Sequence, residues 1–552
     1  MKSRISYFNG TAFLKNITRF APVWAIYLAG CLLVLLGIIS NSQPSAAFDT
    51  LEETILLMAV VNMAYALMNG ELLFGDLFNS RLCNALHSMP MRREGWFLTN
   101  VTAGLCFGFV PHLILALCFL PKLEWYWTSA FVWLLAVNLE YLFFFALAVF
   151  CAFCTGNRFA MALVYGLVNF LSLLAGWLVE TLYIPLMDGI LFNWEPFERF
   201  CPVVGLVSCY DYFDFYDKIT RSQGPSEGWI YLIVLTGLAV ILLVGSLLLY
   251  RKRKLESAGD FMAVKGLSPV FRVIYTLTAG AMFHLFSELF LDSGTRIIFL
   301  LVGLIIGYFT GHMLVQRQVK VFNGRTFLGF GVLAVVLFGS MGVTMLDPLG
   351  IVSWVPEAAQ VEYAEIGNES YVYRWANPAQ LTEKEQIQDA LEIHREILDE
   401  NSEENLADVY LTYHLKDGRT VYRKYDVNVL SEPGRKLNEY FSDPAYLLGY
   451  ADWEAYLDSK PTVQVENKTF TGDEARELLE AIKADCDAGN MTQDWAYHDA
   501  YGKGSYTWVY LDGAFDDIDG YYYGTELTVY EDAVNTVAWL KEREAEWKYD
   551  YN

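Results

Sequence analysis

For its first 346 residues the chain carries its hydrophobic residues in long unbroken runs. Half-buried strands would alternate, and surface helices would show a stripe. Nine runs, at 21–40, 53–75, 96–120, 126–153, 158–183, 228–250, 270–291, 296–316 and 326–346, reach the length that a helix needs to cross a bilayer core, roughly 20 apolar residues. The stretch from Trp229 to Tyr250 holds no charge at all. Beyond Asp347 the pattern changes to short periods. Asp408 to Leu415 and Thr420 to Tyr425 flank Lys416-Asp417-Gly418-Arg419, which reads as a β-hairpin on an Asp-Gly turn. Leu381 to Glu400 reads as an amphipathic helix with Ile387, Ala390, Leu391, Ile397 and Leu398 on its apolar face, Ile393 flanking and His394 in line. A second helix opens at Thr471, an N-cap candidate that Glu474 would complete as a capping box, and a last one covers Glu531 to Trp547. The order strand, helix, hairpin near 361–428 returns near 462–530 and suggests an internal duplication. The fold class expected is an all-α polytopic membrane domain of about nine transmembrane helices, followed by a C-terminal α+β soluble domain.

Charge divides the chain at the same place. The protein has 552 residues and a net charge of −24, yet 54% of it is hydrophobic. From Asp347 onward there are roughly 43 acidic and 17 basic residues; before it, roughly 20 acidic and 22 basic. The acidity therefore belongs to the tail, which makes nucleic acid an unsuitable partner, since phosphate binding needs clustered Lys and Arg. Within the hydrophobic block, Lys and Arg set the orientation. Arg81, Arg92 and Arg93 follow the second run, Arg158 the fourth, Arg251 to Lys254 the sixth, and Arg317, Lys320 and Arg325 the eighth. The remaining loops are poor in basic residues, and Arg296 is a mild exception. This alternation predicts a multi-pass protein of the cell membrane with a cytoplasmic N-terminus, nine crossings and an extracytoplasmic tail; the second run, with Asn62, Asn69 and Glu71, is the weakest. Lys2, Arg4, Lys15 and Arg19 precede a first run with no small-residue cleavage site, which reads as an uncleaved span.

Candidate chemistry is sparse. The chain has no Walker A sequence, no HExxH and no GxSxG; Tyr501-Gly-Lys-Gly-Ser lacks the upstream glycine of a phosphate loop. Phe515 to Glu526 resembles a calcium loop in part, but Phe515 stands where an acidic ligand is needed, so it reads as a turn between strands. Cys151 and Cys154 form a CxxC with no second pair, so no metal is expected. Cys201 and Cys209 share a polar loop and are candidates for a disulfide, with two unpaired thiols as the simpler alternative. That loop, from Pro185 to Glu227, is rich in aromatic residues and reads as short helices anchored at the membrane interface. Of the polar residues inside spans, Glu140, Asn138 and Asn169 are the candidates for an intramembrane role, Glu140 being deepest. The plainer reading is an interhelical hydrogen bond. Between the second and third runs, Phe78, Leu82 and Leu86 with Met89 make a helical apolar stripe that ends at Pro90 and a basic cluster. Such a helix either lies on the membrane or docks on a cytoplasmic partner.

The segment Leu82 to Arg93, LCNALHSMPMRR, resembles the corresponding loop of ABC-2 type transporter permeases, and Tyr250 to Asp260, YRKRKLESAGD, resembles the close of their sixth span. The resemblance covers residues 15–260. It divides the chain into a six-span permease-like core (1–260), three additional transmembrane helices (261–346) and the acidic domain (347–552), the last two resembling an extension seen in some permeases of Gram-positive, clostridial type. It implies a cytoplasmic ATP-binding subunit as partner, a second permease subunit, contact with membrane lipids, no cofactor on this chain and no enzyme activity of its own. It also implies Leu82, Leu86, His87, Met89, Arg92 and Arg93 as the ATPase-subunit contact. The function expected is export of an amphipathic compound, a peptide or a lipid-linked substrate. The alternative is a membrane-anchored extracellular ligand sensor or binding module.

Overall fold

A computed structural model of the chain describes residues 8–41, 47–88, 91–121, 127–208, 227–288, 290, 293–368, 380–400, 406–441, 457, 462–465, 468–488, 490, 505–512, 525–543 and 549–550. It divides into two compact units: residues 1–181 with 193–338, and residues 182–192 with 339–552.

The first unit is helical. Its elements are α1 (Gly10–Arg19), α2 (Ala21–Asn41), α3 (Ala47–Phe74), α4 (Ser80–His87), α5 (Arg93–Phe119), α6 (Trp127–Cys154), α7 (Arg158–Asn169), α8 (Leu171–Leu182), α9 (Glu195–Phe200), α10 (Pro202–Ser208), α11 (Glu227–Lys252), α12 (Ser268–Glu288), α13 (Ser293–Gln316) and α14 (Gly324–Met345). Among the described residues, seven helices are long and apolar enough to cross a membrane, and up to nine spans result if each of two bent pairs counts as one. One bent pair is α1 with α2 (55°); the other is α7 with α8 (60°). The second hydrophobic run, the weakest in the sequence, lies within the 28-residue helix α3.

Helix α6 is the centre of this unit. Trp133, Tyr141, Phe144, Phe145 and Phe153 are fully enclosed on it. It meets α5 so closely that a Cβ at Gly104 would lie 2.1 Å from the Phe145 ring, and one at Gly108 2.3 Å from Tyr141. Two glycines one turn apart thus admit two aromatic rings one turn apart, the small-residue packing of helices that have no hydrophobic drive to associate in lipid. Helix α1 is amphipathic and tied to α5: the Asn9 backbone N–H donates to Thr99 Oγ1 (3.1 Å), and Asn16 donates to Asn100 Oδ1 (2.8 Å). The expected short helices of the aromatic loop are present as α9 and α10. Val203 and Leu206 of α10 join the buried core of the bundle instead of resting on its rim.

The second unit contains two α+β halves with separate cores. In the first half, β1 (Val361–Asn368), α15 (Lys384–Asp399), β2 (Leu406–Leu415), β3 (Thr420–Asn428) and α16 (Glu432–Phe441) follow one another, and the sheet order is β1-β2-β3, antiparallel throughout. The hairpin closes on the expected Asp-Gly turn, with Gly418 at φ +83°. Helix α15 buries Ile387, Ala390, Leu391, Ile393, His394 and Ile397, the face read from the sequence, and Glu383 with Gln386 caps it reciprocally.

The second half runs β4 (Thr462–Val465), β5 (Lys468–Phe470), α17 (Asp473–Asp487), β6 (Ser505–Asp512), β7 (Thr525–Tyr530), α18 (Val534–Glu542) and β8 (Tyr549–Asp550). Its sheet order is β5-β4-β6-β7, with β8 on β6. The expected Thr471 cap does not form. Gly472 is the N-cap at φ +63°, with no side-chain cap hydrogen bond, because the chain enters the helix through a left-handed residue that only glycine adopts freely. The last helix is shorter than the expected 531–547. The calcium-like segment 515–526 and the Tyr501 to Ser505 fragment fall largely outside the described residues.

Candidate functional site

Three constellations stand out, two in the helical unit and one in the tail. The first is α4, the helix between the second and third spans. Asn79 caps it, its side chain accepting from the N–H groups of Arg81 and Leu82. One face is anchored. His87 Nδ1–H donates to the Cys83 carbonyl (2.7 Å), which leaves Nε2 to accept from the Tyr250 hydroxyl (3.1 Å) at the end of α11. Arg93 Nη1, at the start of α5, donates to the carbonyls of Tyr250 (3.0 Å), Arg251 (3.2 Å) and Arg253 (3.1 Å) at the C-terminal end of α11, where carbonyls run out of helical partners. Arg253 does the same for α6, donating to the carbonyls of Ala152 (2.8 Å) and Phe153 (3.3 Å) and also to Leu77 (3.3 Å). Burial pulls its guanidinium down to about 10, still a cation at neutral pH. The other face of α4 is open: Arg81, Leu82, Asn84, Ala85 and Ser88 are exposed, as is Arg92 further on. Of the six residues proposed to contact an ATPase subunit, Leu82 and Arg92 are therefore exposed and Leu86 packs partly on the core, while His87 and Arg93 serve internal ties. Met89 lies outside the described residues.

The second constellation lies among α2, α3, α5 and α6. Asn138, His112, Tyr27, Asn62 and Glu140 form a continuous chain of hydrogen-bonding atoms. His112 Nδ1 is 2.8 Å from Asn138 Oδ1, and His112 Nε2 is 2.7 Å from the Tyr27 hydroxyl. That hydroxyl is 3.0 Å from Asn62 Oδ1, and Asn62 Nδ2 donates to Glu140 Oε2 (3.3 Å). Glu140 is fully buried, and its Oε1 has no partner among the described residues. Asn69 adds a second contact, donating to the Tyr141 hydroxyl (2.9 Å). Asn169 stands apart. It ends α7 at the bend, where its carbonyl accepts the Cys201 thiol (3.4 Å). Cys201 is a buried free thiol, and Cys209, its candidate disulfide partner, lies outside the described residues. Sequence reasoning found Glu140 and Asn138 but missed His112 and Tyr27. The signal was an imidazole beside Pro111 in the middle of the third apolar run.

The third constellation is in the first half of the tail. His394 is fully buried between two tyrosines. One neutral arrangement satisfies all of them: Nδ1–H donates to the Tyr413 oxygen (3.1 Å), Tyr413 O–H to the Ala390 carbonyl (3.5 Å), and Tyr425 O–H to Nε2 (2.8 Å). Desolvation, reinforced by the charges of Arg423 and Arg395, pulls the imidazole down to about 3, so the ring is neutral at physiological pH. Arg423, also buried, donates to the carbonyls of Ile351 (2.9 Å) and Trp354 (3.2 Å). Asp408 and Asp426 face each other across β2 and β3. Their carboxyls share a hydrogen bond, which raises Asp426, while Asp408, despite its burial, is held low by that bond and by Lys424 at 2.8 Å.

The segment 182–192, which follows α8, packs on this half. Ile190 pairs with Arg423, and the Lys424 N–H donates to the Gly189 carbonyl (3.1 Å). Gly189 is at φ +72°, and a Cβ there would meet the Tyr425 ring at 2.0 Å. Among the described residues, no group of three His, Cys, Asp or Glu side chains is arranged to hold a metal ion. The chain matches no family model, no curated protein and no solved structure.

Proposed function

We propose that the chain is the membrane-spanning permease subunit of an ATP-binding cassette transporter, exporting an amphipathic substrate with energy from a separate cytoplasmic ATPase. The observation that carries this reading is the construction of α4. Its inner face is fixed to the end of α11 through His87, Arg93 at the start of α5 ties to the same end, and the outer face of α4 presents Leu82 between Arg81 and Ala85. A push on the outer face is thereby delivered to α5 and α11 together, which is what a helix transmitting a partner's movement must do.

Support for the assumed sidedness comes from the second unit alone. Residues 189–190, just after α8, pair with β3 of the tail, and Tyr183 meets Ser340 of α14 at 2.7 Å. The end of the fifth span and the tail then share one face of the membrane. Four spans, α11 to α14, separate them, and an even number returns the chain to the same face.

The test is copurification from native membranes. An ATP-binding subunit should accompany the chain, and Leu82→Glu, which places a charge on the open face of α4, should lower its recovery about tenfold without lowering the amount of folded chain. Recovery of the wild-type chain free of any ATP-binding subunit would sink the proposal. A second reading, an anchored ligand-binding module without transport of its own, is favoured by a cavity in the first half of the tail.

A further inference from the structure

That cavity, of about 1150 Å³, lies wholly within the second unit. It is bounded by the segment 184–190, residues 350–355, the C-terminal turn of α15 and the edge strand β3. One wall is apolar, with Ile184, Met187, Val352, Trp354 and Leu398. Its charged lining is unbalanced: Asp188, Asp399, Glu400 and Asp426 against Arg395 and Lys424. Lys424 is already committed to Asp408, which shares a hydrogen bond with Asp426, so those three groups compensate one another. What remains is Asp188, Asp399 and Glu400 facing Arg395 alone. Glu400 is the informative member. Both its carboxylate oxygens are shut off from solvent, and neither has a hydrogen-bond partner among the described residues. A desolvated carboxylate with no donor is expensive and is retained where something else supplies the donor. Its neighbours are apolar surface on one side and, on the other, an edge strand whose outer side the described residues meet at Gly189 and Ile190.

We propose that this cavity binds an amphipathic peptide segment bearing an ammonium or guanidinium group, with the cation held by Glu400 and Asp188 and the apolar part laid against Trp354 and Leu398. A cation supplies the donors that Glu400 lacks among the described residues and corrects the charge of the lining. The apolar wall selects against a fully hydrated ion, and an edge strand accepts a peptide backbone more readily than a compact molecule. The proposal does not depend on whether the spans transport.

The test uses the full chain in nanodiscs of zwitterionic lipid, so that the bilayer itself does not attract cations. The probe is a fluorescent Leu/Lys amphipathic peptide, with its succinylated form, in which each ammonium becomes a carboxylate, as the counter-probe. Saturable binding of the cationic peptide is expected, weakened about tenfold or more by Glu400→Gln and several-fold by Asp188→Asn. Glu400→Gln is close in shape and breaks no hydrogen bond among the described residues, so hydrogen exchange across α15 should be unchanged. An exposed acidic site in the other half, Asp473→Asn, serves as control and should leave affinity unaltered. Three results would overturn the proposal: no binding above that of empty nanodiscs, equal binding of the succinylated peptide, or affinity within about twofold of wild type in both Glu400→Gln and Asp188→Asn.

Discussion

The two halves of the tail share one plan and differ in what fills it. Each contains, in order, a strand, a helix, a hairpin and a helix, with the first strand antiparallel to the first arm of the hairpin; the second half adds β5 and β8. Their helices bury the same spacing: Ile387, Ala390, Leu391, His394 and Ile397 in one, Ala475, Leu478, Leu479, Ile482 and Asp485 in the other. Strand pairing supplies the rest of the correspondence. Ala364 faces Tyr413 and Ile366 faces Leu411; Val463 faces Leu511 and Val465 faces Val509. Across the hairpins, Leu411 faces Arg423 and Val409 faces Tyr425, where Val509 faces Leu527 and Thr507 faces Val529. In that alignment His394, Tyr413, Arg423 and Tyr425 of the first half stand where the second has Ile482, Leu511, Leu527 and Val529. One plan thus carries a hydrogen-bonded polar set in one half and aliphatic residue types at the matching register positions in the other. The fold does not require the polar set. What the polar set coincides with is the docked segment 182–192 and the cavity, neither of which has a described counterpart in the second half. The second half places a buried carboxylate, Asp485, elsewhere and for a structural end. It accepts from Asn535 N–H (3.0 Å), Asn535 Nδ2 (2.8 Å), Thr536 N–H (2.7 Å) and Thr536 Oγ1 (2.7 Å), and so caps α18.

The strongest way to break this comparison is to move the polar residue across. Ile482→His puts an imidazole where the sequence offers Leu511 and Val529 in place of two hydroxyls. Lost packing plus an unpartnered buried ring should destabilise α17 by about 3–4 kcal/mol, read as faster hydrogen exchange along that helix in the intact protein. A cost below about 1 kcal/mol would mean that the second core tolerates polarity and that the aliphatic contrast carries no meaning.

The parts of the molecule that were legible in the sequence are those whose signal is local. Each expected span overlaps a described helix, because a run of apolar residues needs no knowledge of its neighbours to declare itself. The apolar face of α15 and the Asp-Gly hairpin were legible for the same reason. Thr471 misled because Gly472, one residue on, offered the chain a conformation that outcompeted the side-chain cap. His87 and Arg93 read as partner-contact residues, since nothing near them in sequence announces Tyr250, with which both form hydrogen bonds. His394 was visible as a member of a helix face, but its two hydroxyl partners come from strands 19 and 31 residues away. The bend at Asn169 and the thiol that donates to its carbonyl were equally hidden, being a property of pairs rather than of positions.

Acid should separate the halves next. His394 is neutral and buried in the folded chain at about 3, against 6.5 when unfolded, so below 6.5 the unfolded state takes up a proton that the native state refuses. The stabilisation from this group is complete above that pH and is lost steadily as pH falls toward 3. Going from pH 7 to pH 5 should weaken the first half by about 2 kcal/mol through this residue alone. Hydrogen exchange of α15, corrected for the intrinsic rate, should show it. His394→Gln should remove most of the pH dependence, and α17 should not share it. If α15 and α17 soften equally in wild type, a general charge effect of the acidic tail explains the response and the histidine does not.

The smallest effect isolates the hydroxyl from the ring that carries it. Tyr425→Phe keeps the aromatic surface against Gly189 and removes only the donor to His394 Nε2, leaving a buried ring nitrogen without a partner. The expected cost is about 1 kcal/mol in the opening of β3, the value of one neutral hydrogen bond. The tie to the segment 182–192 should survive, because Ile190 and Gly189 meet the backbone of β3, and the shape of the ring, not its oxygen, is what Gly189 accommodates. Exchange at the Lys424 amide, which donates to the Gly189 carbonyl, distinguishes the outcomes. Protection there that follows the rest of β3 places the hydroxyl in the interior network alone. Protection lost entirely would show that the hydrogen-bonded interior also holds the docked segment in place, and the polar core would then be part of the docking surface rather than its neighbour.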